Sequence, residues 1–219
     1  ALGFMGTMVQ SNSISEACHN AFNIPGWAVG IFLCIAAFFI FIGGVQRIGA
    51  VTEKMVPVMA VLYLVGGLIV LITRIKYIPE TFGLIFKYAF NPTALIGGSI
   101  GYALKTAISQ GVKRGLFSNE AGMGSTPHAH ALANVKDPHE QGVVAMAGVF
   151  VDTFVVLTMT ALVVISTLFT EGGPLYQTTL TAENLTAAGI SKTNAAQLAF
   201  GSVFGEGLGN SFVAICLFF

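Results

Sequence analysis

The residues best equipped for chemistry stand together in one polar, glycine-punctuated block, Gly111 to Ala131, GVKRGLFSNEAGMGSTPHAHA. Its glycines at 111, 115, 122 and 124 permit close backbone approach or positive φ. Thr126 followed by Pro127 reads as an N-cap and the first residue of a short helix, PHAHALAN. Ser118, Asn119 and Glu120 offer a hydroxyl, an amide and a carboxylate in succession. Two uses fit them: capping helix ends at a membrane boundary, or a gate whose hydrogen bonds break and re-form. His128 and His130 are two apart, point in different directions on a helix, and do not readily hold one metal. HAHA is not HExxH, and no GK[ST] follows the glycines, so neither a zinc site nor a phosphate loop is expected here.

Asp152 is the only ionisable residue in the longest apolar run, Gly142 to Thr170. An acid at a helix centre costs about 2.5–3.5 kcal/mol on insertion scales, so it is expected to face the interior of a helical bundle. It reads as a cation ligand, proton acceptor or coupling residue on one view, and as a structural ion pair or helix-terminal hydrogen bond on the other; the adjacent Thr153 is a candidate for cation coupling or gating with it. No second acid and no Ser/His pair accompanies Asp152, so an intramembrane enzyme is not expected. Gln10 and Asn12 suit interhelical hydrogen bonding, or binding of an amino-acid carboxylate or amine. Lys105 reads as a side chain that snorkels to the surface.

The elements that must position these groups are membrane helices. Charged residues are 9% of the chain and hydrophobic ones 54%, against about 25% charged in a soluble domain. Ten basic and ten acidic residues cancel, leaving no cationic field for nucleic acid. Cys18, Cys34 and Cys216 lack metal-ligand spacing and read as apolar fillers. Spans are expected at about 27–44, 55–73, 142–168 and 197–219, the last broken by glycines at 205, 207 and 209. Glu16 to Gly26 reads as a loop closed by Asn23, Pro25 and Gly26, and the polar VQRIGAVTEK as a link between the first two spans.

Between Ile78 and Gly115 the pattern changes. Residues 80–90 are amphipathic and too short to span, Asn91, Pro92, Gly97 and Gly98 interrupt the helix, and the helical period resumes at about 100–115. Two half-helices around a broken centre are expected. A break at membrane depth must be buried in protein or line a cavity. Helix ends at such breaks present N–H groups to carboxylates and free carbonyls to cations; a re-entrant loop or a packing kink is the plainer alternative. Phe90, Asn91, Thr93, Gly97 and Gly98 are therefore the candidate substrate residues, with Gln10 and Asn12. Counted from Ile100, the second half-helix rises about 24 Å, which brings Lys113 and Arg114 to the cytoplasmic face and places SNEAGMGS at or beyond it. The distribution of basic residues gives the same orientation by a narrow margin. Both ends of the sequence read as cut, so a piece of a longer protein is expected.

Five ordered stretches resemble the alanine or glycine:cation symporter family: MVQSNSI at 8–14, GGVQRIGAVTEKMVPVMA at 43–60, IPETFGLIFKYAF at 78–90, the block at 111–131 and FVDTFVV at 150–156. The resemblance implies an all-α integral membrane protein of the LeuT-like inverted-repeat fold, running from the end of core helix 3 to the start of core helix 8 of a single transporter domain. It further implies Na⁺-coupled, less often H⁺-coupled, symport of small neutral amino acids such as alanine or glycine by alternating access in a bacterial or archaeal plasma membrane. The implied partners are the amino acid, the coupling ion, the bilayer and the remainder of the transporter; no cofactor is implied. Most Na⁺ ligands are expected outside this sequence, so the metal site stays unassigned. A channel or pore-forming subunit is the alternative, and needs a continuous polar path; Gln10, Asn12, Asp152 and Glu206 offer only scattered polarity.

Overall fold

The computed structural model describes residues 2–90, 100–122, 124–176, 189–191 and 194–218. Among them the regular structure is entirely helical. The helices are α1 (Leu2–Phe22), α2 (Gly26–Ile42), α3 (Gly44–Thr73), α4 (Ile78–Phe90), α5 (Ile100–Ser118), α6 (Ser125–His130), α7 (Pro138–Phe150), α8 (Thr158–Leu168), α9 (Ala195–Phe204) and α10 (Glu206–Phe218). A 3-10 turn, Ile75–Tyr77, leads into α4, and a π-helical turn, Val151–Leu157, joins α7 to α8. Among the described residues two continuous helices are long and apolar enough to cross a membrane, Gly44–Thr73 and Pro138–Leu168.

Helix ends follow local chemistry, with some shifts from the sequence expectation. The loop expected from Glu16 narrows to three residues, because Glu16–Phe22 extends α1. Asn23 then takes a left-handed φ of 58°, a conformation its short polar side chain tolerates, and Pro25 caps α2. The expected polar link VQRIGAVTEK is instead the first part of α3, and the turn shrinks to Gly43 and Gly44, where Gly44 has φ +70°. Gln, Arg, Glu and Lys are good helix formers, and Pro57 sits inside α3 without ending it. α7 starts on Asp137, whose Oδ1 accepts from His139 N at 2.9 Å, with Pro138 at the first helical position.

The chain divides into two compact units, Gly3–Thr81 with Thr160–Phe219, and Phe82–Met159. In the first unit α3 packs on α9 and α10. Val70, Val163, Leu168, Ala199 and Phe200 are buried there, and the Phe200 ring lies 5.3 Å from Phe212 and 5.8 Å from Tyr63. Gly66 admits these rings, since a Cβ there would stand 2.4 Å from Phe212 Cζ. α9 and α10 fold back on each other at Gly205, whose φ of 87° and ψ of 149° belong to a region almost confined to glycine. At the crossing, a Cβ on Gly209 would meet Gly201 N at 2.3 Å. The stretch from 197, expected to begin a span, thus folds back at Gly205 into a 10-residue helix and a second helix that is described to Phe218.

In the second unit, among the described residues, none from Phe82 to Met159 is buried. α4 and α5 lie on either side of residues 91–99; the expected break, with Asn91, Thr93, Gly97 and Gly98, lies outside the described residues.

Candidate functional site

The second unit brings four of the sequence candidates together in pairs. α5 ends at Ser118, and α7 runs into the π-helical turn at Val151. Across these two elements Ser118 Oγ donates to Asp152 Oδ2 at 3.1 Å, and Thr153 Oγ1 donates to Asn119 Oδ1 at 3.0 Å. The Asn119 amide is fixed from the other side, because its Nδ2 donates to the Gly115 carbonyl at 3.1 Å. Consecutive residues of one strand of the ladder therefore meet consecutive residues of the other. None of the described residues of this unit is buried, and the polar ladder ties the end of α5 to the π turn.

Glu120 belongs to the next rung and bonds elsewhere. Its φ of 51° is unusual for a residue with a side chain, and its Oε2 accepts from Thr126 Oγ1 at 2.7 Å. That bond corrects the expected capping role of Thr126. α6 begins at Ser125 with Gly124, at φ 88°, in the capping position, so Thr126 is already helical and its hydroxyl turns back to the glutamate. A second tie joins α6 to α7, where Gln141 Nε2 lies 2.6 Å from His130 Nδ1. Neither Thr126–Glu120 nor His130–Gln141 was legible beforehand, since nothing in the spacing marks either pair.

Asp152 was expected to face the interior of a helical bundle and Ser118 to lie at or beyond the cytoplasmic face; their side chains are 3.1 Å apart. The helix from Pro138 to Leu168 has 31 residues, a rise of about 46 Å at 1.5 Å each. That exceeds a hydrocarbon core of roughly 30 Å, so its first ten or so residues can extend out of the bilayer. Beside the ladder lies an open cleft of about 640 Å³, lined by Asn119, Met146, Val149, Phe150, Thr153 and Phe154 among others. Phe150 and Phe154 stack there at 4.9 Å.

The remaining candidates are not drawn into this cluster. Gln10 and Asn12 are exposed on α1. Phe90 is the last residue of α4. No group of three or more His, Cys, Asp or Glu side chains suited to a metal occurs among the described residues. The ladder's oxygens, one carboxylate with hydroxyls and an amide carbonyl, are the hard donors that suit a small cation.

A buried amide that the sequence did not single out ties the first unit together. Gln197, 1% exposed, donates through Nε2 to the carbonyls of Ala17 at 3.0 Å and Asn210 at 3.3 Å, and its Oε1 accepts from Asn20 at 3.1 Å. It joins α1, α9 and α10. Tyr63 and Thr160 pair through their hydroxyls at 2.7 Å. At the end of α3, Arg74 donates to the Glu171 carbonyl at 3.2 Å and lies 5.2 Å from the Tyr77 ring centre.

Comparison with known proteins gives the ladder its setting. The chain is 47% identical over 163 residues to an uncharacterized transporter of Haemophilus influenzae, covering 74% of this chain and 34% of that one. It is 46% identical over 159 residues to the sodium/alanine symporter AgcS of Methanococcus maripaludis, covering 73% and 34%. Over 214 residues it is 38% identical to a sodium/proton-dependent alanine carrier protein of a Bacillus species, covering 96% of this chain and 46% of the carrier. The chain thus spans about a third to a half of the length of these relatives. No solved structure matches. The sequence model of the sodium:alanine symporter family matches residues 1–219, and the chain belongs to that family.

Proposed function

We propose that this chain is part of a secondary transporter that moves a small neutral amino acid, alanine or glycine, together with Na⁺ by alternating access across a cell membrane it crosses several times. The observation that carries the reading is the family match along the whole of residues 1–219. The relatives' names point to alanine as substrate and sodium, or sodium and protons, as coupling ion. A LeuT-like arrangement of inverted repeats accords with the two half-helices α4 and α5, and with this family placement the substrate region is assigned to Phe90, Asn91, Thr93, Gly97 and Gly98, with Gln10 and Asn12. There the amino acid's carboxylate meets N–H groups at a helix end.

The ladder Ser118–Asp152 and Asn119–Thr153, with Glu120 beside it, is assigned to the cytoplasmic side as a gate or cation-coupling group.

Uptake of labelled alanine and glycine into proteoliposomes, using the full-length protein in which this sequence occurs, tests the reading. Uptake is expected to depend on an inward Na⁺ gradient. Asp152→Asn keeps an acceptor for Ser118 and removes the charge, and is expected to weaken the Na⁺ dependence by about tenfold, equal to about 1.4 kcal/mol of lost ion interaction. Gradient-independent uptake, or none for any small amino acid, overturns the symport reading; unchanged Na⁺ dependence in Asp152→Asn returns that residue to a structural role.

A further inference from the structure

The π-helical turn sits where the ladder attaches. Its seven residues, VDTFVVL, include both Asp152 and Thr153, the two residues that hold the end of α5. A π turn accommodates a residue more than the α-helix around it, and such turns concentrate at functional sites. Nothing in VDTFVVL forces it, since the stretch has neither proline nor glycine, the usual local causes of an irregular helix. At its C-terminal edge Thr158 Oγ1 donates to the Thr153 carbonyl at 3.4 Å, while the Thr158 backbone N–H donates to the Val155 carbonyl.

Three further facts bear on whether the wide turn is fixed. After Pro138, no proline follows in α7, the π turn or α8, so every residue there has an N–H to donate and the wide turn can stand at another position without losing a backbone bond. Gly142 and Gly148 lie just upstream, and a Cβ at either would meet nothing within 4 Å. The cleft beside Asn119, Val149, Phe150, Thr153 and Phe154 is open, which leaves room for side chains to turn.

We propose that the π turn is a movable register element which sets the ladder. When it stands at 151–157, Asp152 and Thr153 face Ser118 and Asn119 and the end of α5 is held. When it moves toward Gly148, the residues it passes take the neighbouring helical register, a rotation of about 100° per residue step. Asp152 and Thr153 then turn off their partners together and the end of α5 is released, while the helix on either side keeps its own register. A discrete, two-position element of this kind converts a small local change into an all-or-none one. It deepens the gating role given to the ladder above and rests on that role for its purpose.

Hydrogen–deuterium exchange of the full-length protein in detergent reads the element without any transport, so its failure is distinct from a failure of the symport reading. In the unaltered protein the amides of 151–158 are expected to exchange at least about tenfold faster than those of 160–168, as a locally opening stretch does. The double variant Ser118→Ala with Asn119→Ala removes both ties, leaves VDTFVVL untouched, and is expected to speed exchange in 151–158 by a further factor of about three or more. Deleting Val156 removes the extra residue and is expected to slow 151–158 to the rate of 160–168. Equal rates in the two stretches of the unaltered protein overturn the proposal, as does no change in the double variant, or unchanged fast exchange in a folded Val156 deletion. Should the deletion fail to fold, the first two comparisons decide.

Discussion

Three side chains in this protein do more than their sequence positions announce. Gln197 satisfies its amide against α1 and α10 while itself 1% exposed, so Gln197→Leu keeps the volume and strands the Ala17 carbonyl and the Asn20 amide. A buried polar group left without its partner costs about 1–3 kcal/mol. The variant is expected to lower the thermal unfolding midpoint of the detergent-solubilised full-length protein by several degrees, and an unchanged midpoint would mean that water or lipid headgroups replace the bonds. Asp152 was readable as unusual from its apolar surroundings alone, and Thr153 stands beside it. Their partners were not: Ser118 and Asn119 are 34 positions away, and no periodicity links two helices separated by a turn, a short helix and a loop. Residue type told which groups carry a cost in lipid; only the fold tells what offsets it.

At the scale of elements, hydrophobic runs located most helices and misjudged how they end. Good helix formers carried α1 through Glu16 and α3 through VQRIGAVTEK, where polarity had suggested loops, because helix propensity does not require an apolar side chain. The turn residues Asn23 and Gly44 were effective for the opposite reason, since their backbones enter the left-handed region. Glycine also decides packing at α9–α10. A methyl group at Gly209 would press on backbone atoms of Gly201 and Phe200, which no rotamer change relieves. Gly209→Ala is therefore expected to destabilise the first unit by about 1–3 kcal/mol or more, the range for forced overpacking. A wild-type unfolding midpoint for this variant would show that the hairpin parts at little cost. The π turn had no sequence signature at all, as VDTFVVL reads like any apolar helical segment.

The whole molecule leaves much of its apolar surface uncovered. Trp27 and Met146 are each 71% exposed and Leu208 is 73% exposed, among many other large apolar side chains, far beyond the scattered hydrophobic residues normal on a soluble surface. The helix Pro138–Leu168 is 6% buried in its most apolar window and Gly44–Thr73 is 17% buried. Such surfaces need lipid or further helices against them. The full-length protein is expected to stay in the membrane pellet through an alkaline carbonate wash, and release into the supernatant would contradict an integral membrane protein. Membrane class and family were open to reading from composition and five ordered motifs, because lipid imposes composition on every helix at once.

The fold-back at Gly205 changes how the topology must be drawn. Counting apolar runs scores 195–218 as one straight helix, but the chain turns at Gly205 and packs Gly209 on Gly201. Glu206 therefore stands at the bend between two helices that pack on each other, not midway along one straight helix.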